Sequence, residues 1–182
     1  MKKTIAVLFI LVFSTSMIFA EGALPSKGDT FVGGRLGLGS LGAGVGFGAN
    51  FEMVTQNDLL NLGDLPDALG FGATVGYSTY TERWIGIHFR YTNIAILINA
   101  IYHIDILDNE KLDTFVKFGI GYNAGSAKFD GTGIYDGRTP THGGVIAGSS
   151  VGGRYFLSDA LALVAELGLG FAWLQLGVDV EL

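Results

Sequence analysis

The chain has 182 residues, no cysteine, 29 glycines, three prolines and a formal net charge of −6. An acidic chain with scattered Lys and Arg offers no basic stripe for nucleic acid, and without cysteine it has no disulfides to hold a small exported domain together. Charged residues are only 15% against 49% hydrophobic, below the roughly 25% charge of an ordinary soluble domain, and the glycines do not recur every third residue as collagen demands.

Residues 1–20 read as an export signal. Lys2 and Lys3 form a basic start, Ile5 to Val12 an apolar core, and Ser14, Thr15 and Ser16 precede cleavage near Ala20. The apolar core is short for a retained membrane helix. Residues 21–182 then form one domain.

The first strand is predicted over Thr30 to Leu38. Val32, Leu36 and Leu38 share one face, and Gly33, Arg35 and Gly37 the other. After a short turn the second strand puts Ala43, Val45, Phe47, Ala49, Phe51 and Met53 on one face. Its other face carries Gly42, Gly44, Gly46, Gly48, Asn50 and Glu52. A side-chain period of two gives a strand with one apolar face. Lipid outside and a narrow lumen inside would produce it, with the small residues making room for bulky side chains from other strands.

Thr55 to Ala68 reads as a connection with a helical turn near Leu59 to Leu62. Leu69, Phe71, Ala73, Val75 and Tyr77 mark the third strand, and Thr81, Glu82 and Arg83 a turn. The fourth strand runs from Trp84 to about Ile106, but its parity slips near Thr92 and Asn93. Ile85, Ile87, Phe89 and Tyr91 share a face before the slip; Ile94, Ile96, Ile98, Ala100, Tyr102 and Ile104 share one after it. One β-bulge accounts for this. A second hairpin turn there is the alternative and gives nine strands.

Leu107 to Asp113 reads as a charged turn. The fifth strand puts Val116, Phe118, Ile120 and Tyr122 outward and Phe115, Lys117, Gly119 and Asn123 inward. Gly125 to Gly144 is the longest irregular stretch. Its residues Asp130, Tyr135, Asp136, Arg138 and His142 are candidates for surface contact, because long loops carry function. Val145 to Leu157, Leu161 to Leu169 and the segment after Phe171 complete eight strands. The last alternates Leu174, Leu176, Val178, Val180 and Leu182 against Gln175, Gly177, Asp179 and Glu181. Leu161 to Val178 is also apolar enough for a membrane helix, but Gly168, Gly170 and Gly177 disfavour it and Glu166 would lie in lipid.

The fold class is therefore all-β: an eight-stranded antiparallel up-and-down transmembrane β-barrel, with strands near the roughly 9–11 residues that cross a bilayer. An even count puts both termini on one side. Tyr77, Tyr80, Trp84, Tyr91, Tyr102, Tyr122, Tyr155 and Trp173 fall toward strand ends, as aromatic girdles do.

Two motifs mimic chemistry. Gly37-Leu38-Gly39-Ser40-Leu41-Gly42 matches G-x-G-x-x-G, but an alternating strand follows instead of the helix that would hold a pyrophosphate. Gly148-Ser149-Ser150-Val151-Gly152 matches G-x-S-x-G, yet no histidine follows it. His88 and His103 are too far apart on one strand to share a metal. The pattern thus assigns no catalytic residue, cofactor or metal. Arg35, Lys117, Arg154 and Glu166 project to the non-lipid face, where ions must pair. They form a polar plug or a charged pore constriction. Arg154 and Glu166 flank the turn at Ser158 and Asp159 on adjacent strands, so their side chains could meet.

Tyr102-His103, then Lys111-Leu112-Asp113-Thr114-Phe115, Gly119-Ile120-Gly121-Tyr122-Asn123, Gly153-Arg154-Tyr155-Phe156-Leu157-Ser158-Asp159 and Glu166-Leu167-Gly168 occur in an order that resembles the small eight-stranded outer-membrane β-barrels. These are the OmpA/OmpX-like group of the outer-membrane β-barrel domain family. Many such proteins end on Phe or Trp; this chain ends on Leu182. The resemblance implies a bacterial outer-membrane location, contact with outer-membrane lipid, and delivery by periplasmic chaperones to the barrel-insertion machinery. The leading expectation is a non-enzymatic envelope or surface-interaction protein. A narrow pore for small solutes and a membrane-embedded lipid-modifying enzyme are the alternatives.

Overall fold

Period-two alternation becomes eight strands that close on themselves. A computed structural model describes residues 24–41, 44–60, 65–84, 87–107, 109–131 and 141–182. The strands are β1 (Thr30–Ser40), β2 (Gly44–Asn57), β3 (Asp67–Trp84), β4 (Ile87–Ile104), β5 (Leu112–Gly131), β6 (Thr141–Ser158), β7 (Leu161–Leu169) and β8 (Leu174–Glu181). Each pairs antiparallel with the next, and β8 returns to β1 with Leu36 opposite Leu176. β1 begins and β8 ends at one mouth, the terminal end; the other mouth is the loop end. The predicted export signal lies outside the described residues.

Closure satisfies every strand edge where the eight overlap. It also sorts side chains by parity. Phe47, Phe71, Ile96, Ile98, Phe118, Ile120 and Leu167 stand exposed on the outer face. An apolar belt of this extent is foreign to a monomeric water-soluble surface. The inner face of β1, β2 and β3 is rich in glycine because large side chains cross the lumen there. A Cβ on Gly33 would lie 1.8 Å from Asp179 Oδ1, and one on Gly76 2.2 Å from the Phe171 ring.

Three apolar layers divide the lumen. Phe31, Val54, Ala68, Phe156 and Ala162 close the terminal end, with Phe31 and Phe156 edge to face at 6.3 Å. Ile101, Phe115 and Val164 pack beside the central ions. Toward the loop end, Phe171 and Ala172 fold inward from the β7–β8 connection onto Ala95 and Leu97. Gly37, Gly46, Gly48 and Gly76 seat the Phe171 ring.

Several expectations change. No β-bulge or hairpin interrupts β4 at Thr92–Asn93: it pairs without a register shift from Ile87 to Ile104 with β3, and from Ile87 to His103 with β5. Phe89 and Tyr91 instead lie on the inner-face parity, where Tyr91 stacks on Tyr80 at 4.7 Å and Phe89 meets Phe129 at 5.3 Å. Past the main barrel the inner face builds its own small aromatic core, so the apolar parity changes while the backbone stays regular. Thr81, Glu82 and Arg83 are not a turn; they continue β3 and pair with Arg90, Phe89 and His88. Likewise most of Gly125 to Gly144 is strand, with Gly125 opposite His142 and Ser126 opposite Thr141. Asp113 also belongs to a strand, opposite Arg154. Leu161 to Val178, by contrast, is the β7–β8 hairpin that the alternation predicts, and not the rival membrane helix. The helical turn expected near Leu59 to Leu62 falls partly outside the described residues.

β3 to β6 therefore run 18 to 20 residues while β7 and β8 have nine and eight. At roughly 9–11 residues per bilayer crossing, the long four form a sheet that stands well beyond the loop end. Of the aromatics expected at the interfaces, Tyr77, Tyr122, Tyr155 and Trp173 are exposed on the outside. Tyr80 and Tyr91 belong to the inner aromatic core.

Candidate functional site

The densest chemistry in the molecule is the ion network filling the lumen. Its members come from seven strands: Arg35 on β1, Glu52 on β2, His103 on β4, Asp113 and Lys117 on β5, Arg154 and Ser150 on β6, Glu166 on β7, and Asp179 and Gln175 on β8. β3 contributes space, since a Cβ on Gly70 would lie 2.7 Å from Glu52 Oε1.

Arg154 is the hub, and each of its three nitrogens donates to a different carboxylate. Nη2 reaches Glu52 Oε2 at 2.6 Å, Nη1 reaches Asp113 Oδ2 at 3.1 Å and Nε reaches Asp179 Oδ2 at 3.0 Å. Its guanidinium carbon also lies 4.0 Å over the Phe31 ring. The planar five-donor fork suits this geometry where a lysine would reach one partner well. Arg35 grips Asp179 with two nitrogens, at 2.5 and 3.0 Å, and gives Nε to Glu166 at 3.2 Å. Glu166 also accepts from Lys117 Nζ and from Ser150 Oγ at 3.2 Å.

His103 lies between two acids. Its Nε2 is 2.5 Å from Glu52 Oε1 and its Nδ1 is 2.9 Å from Asp113 Oδ1. A neutral imidazole donates from one nitrogen only, whereas the imidazolium donates from both. Doubly protonated His103 also brings the cations to four, against the four carboxylates Glu52, Asp113, Glu166 and Asp179. Charge and hydrogen-bond capacity then balance, which is what burial of ions demands.

Arg35, Lys117, Arg154 and Glu166 all point into the lumen and are at most 8% exposed. Arg154 and Glu166 do not meet. The register sets Glu166 opposite Gly152 and Arg154 opposite Val164, so they belong to different rows and each finds partners across the lumen. The pattern reading missed Glu52, His103, Asp113 and Asp179 as partners. Inward parity marks each of them, and counting inward ions of both signs was the available signal. Asp130 and His142 lie at the ends of β5 and β6, with nothing described of their side chains. Tyr135, Asp136 and Arg138 lie outside the described residues.

Next to the network is a cavity of about 20 Å³ lined by Thr74, Asn99, Lys117, Ser150, Phe171 and Gln175, room for about one water. Asn99 and Asn50 sandwich Thr74 by hydrogen bonds of 2.8 and 2.7 Å. Among the described residues no group of three or more His, Cys, Asp or Glu could hold a metal, and both ring nitrogens of His103 face acids rather than a hydroxyl.

The network members differ in how much depends on them. Among the described residues Lys117 donates to Glu166 alone, and Glu166 keeps Arg35 and Ser150 when Lys117 is lost. Lys117→Met is therefore expected to cost about 1–3 kcal/mol. Arg35→Met should cost more, because it strips partners from both Asp179 and Glu166. Urea midpoints in micelles rank the two.

No known protein-family profile matches the chain, and no curated protein matches its sequence. Solved structures do match. Ail, the attachment invasion locus protein of Yersinia pestis, is 13% identical; the alignment covers 86% of this chain and 96% of that one, with a TM-score of 0.50. A major outer-membrane protein of Thermus thermophilus is 16% identical, with 86% and 100% covered and a TM-score of 0.61. The likeness is one of architecture, and with the closed ring of β1 to β8 it makes this fold that of the small eight-stranded outer-membrane β-barrels.

Proposed function

We propose that the chain is a non-conducting, non-enzymatic outer-membrane β-barrel that anchors the β3–β6 extension and its connecting segments at the bacterial surface, for contact with partners or support of the envelope. In this reading residues 1–20 are removed on export, the terminal end faces the periplasm and the barrel-insertion machinery assembles the protein. The outer apolar belt supports membrane insertion, since lipid is the solvent in which exposed Phe47, Ile98 and Ile120 cost nothing. The filled lumen carries the rest. Arg154, Arg35 and their acids bridge the bore, and Phe171 stands over them, which favours an anchor over a pore. His103 is engaged by Glu52 and Asp113, which supports the non-enzymatic reading. Of the contact candidates, Asp130 and His142 lie near the ends of β5 and β6, and Tyr135, Asp136 and Arg138 fall between those strands in the sequence.

Planar-bilayer recording tests the closed lumen. The refolded full chain is expected to give no steady single-channel current, and a reproducible unitary conductance would replace this reading with the pore. Heat-modifiable migration on gels and protease protection in vesicles test insertion separately.

A further inference from the structure

The chain has eleven lysines and arginines. Arg35, Lys117 and Arg154 are buried in the lumen. Lys27 and Lys111 lie at the terminal end. Among the described residues, the exposed cations of the loop half are Arg83, Arg90 and Lys128, and the register gathers all three. Arg90 on β4 lies directly opposite Lys128 on β5 and Thr81 on β3. One row farther out, Arg83 lies opposite His88. Like charges facing each other across adjacent strands repel. The ion pairs among the described side chains all lie in the lumen, and none of them involves Arg83, Arg90 or Lys128. Glu82 is on the opposite face of β3 by alternation. Asp130 takes the register position opposite His88.

Depth matters as much as sign. The patch shares the outer face of β4 with Ile94, Ile96 and Ile98, which belong to the apolar belt. From Ile94 to Arg90 is about 13 Å along the strand, or about 10 Å along the barrel axis at a tilt near 40°. The polar layer of a bilayer is roughly 5–8 Å thick beyond the hydrocarbon edge. Arg and Lys stems reach back by several ångströms. Between belt and patch, Thr79, Thr92 and Ser126 lie side by side in one row.

We infer that Arg83, Arg90 and Lys128 bind the phosphate groups of a phosphorylated lipid headgroup in the leaflet surrounding the loop end. This rests on the membrane placement proposed above. Guanidinium forks take phosphate oxygens bidentately and a lysine adds a point charge. One phosphate between Arg90 and Lys128 turns their repulsion into a shared contact. A lipid uses the whole face, with acyl chains along Ile94 and Ile96 and phosphates on the cations. A soluble polyanion would use only the upper part.

The test uses the full chain refolded in phosphatidylcholine nanodiscs doped with bis-phosphorylated lipid A or with a phosphate-free glycolipid of matching acyl chains. Native mass spectrometry counts the lipids retained. The wild-type chain is expected to enrich the phosphorylated lipid over the phosphate-free one by at least about tenfold. Arg83→Gln/Arg90→Gln/Lys128→Gln, and separately Lys128→Glu, which gives Arg90 a local partner, should abolish that enrichment. Equal enrichment by the triple variant, or no wild-type preference for the phosphorylated lipid, overturns the inference. So does a soluble sulfated oligosaccharide or inorganic phosphate that displaces the lipid at equal phosphate or sulfate concentration. Heat-modifiable migration and protease protection of the same samples report on membrane insertion, so failure of the placement is distinguishable from failure of the site.

Discussion

Arg154→Met is expected to be the most damaging single substitution in the lumen, costing about 3–5 kcal/mol or more. The methionine fills most of the space and keeps contact with Phe31, so the loss is electrostatic. Glu52, Asp113 and Asp179 each lose a donor at 2.6 to 3.1 Å while remaining at most 1% exposed. Only His103 and Arg35 are left to serve three buried carboxylates. Arg154→Lys retains the charge but reaches fewer of the three acids, so it should fall between wild type and methionine. Unfolding in micelles by urea, followed by the loss of heat-modifiable migration, gives the order. If methionine matched wild type, the network would be incidental packing and not the element that fills the bore.

The second large effect concerns the apolar layer toward the loop end. Gly76→Val puts side-chain atoms where the Phe171 ring lies, a Cβ alone being 2.2 Å from it, and overpacking of this kind costs roughly 1–3 kcal/mol. Phe171→Ala removes the ring and leaves the glycine-lined seat empty, at about 3–5 kcal/mol. Together they should cost less than their sum, by about 1 kcal/mol or more, because the valine then occupies what the ring vacated. Trp173, two residues from Phe171, provides an optical readout of the hairpin. In a Trp84→Phe background, its emission should shift in Gly76→Val and return toward wild type in the double variant. Simple additivity would mean that Phe171 does not rest on Gly76.

The barrel was legible in the chain because the two sides of each wall meet different surroundings. Leu174 to Leu182 and Phe47 to Met53 face lipid-like exposure with every second residue, and no other side-chain rule competes there. The glycine face of β2 also pointed to large groups crossing the bore. What crossed was harder to read. Pairing of Arg154 with Glu52 joins residues 102 apart in sequence, and such partners become neighbours only once the cylinder is closed. Local reasoning from the Ser158 turn therefore chose Glu166, one row away from where it is needed. Strand ends were hidden for a different reason. Thr81, Glu82 and Arg83 are polar because they stand beyond the apolar belt, and polarity beside glycine-rich sequence looks like a turn. Phe89 and Tyr91 looked out of step for the complementary reason, since beyond the belt the greasy side of the sheet is the inner one.

The β1–β8 junction has a consequence for assembly. The first strand supplies Arg35 and the last supplies Asp179, joined by two hydrogen bonds at the line where the sheet zips shut. Asp179 also completes the shell of Arg154. Until the final hairpin arrives, both guanidiniums are short of counter-charge and must stay hydrated, so an open sheet cannot expel its water one residue at a time. Drying of the interior and zippering of the last strand are thereby the same event, and a chain clipped before Leu174 would retain most of its strands yet have no reason to stay shut.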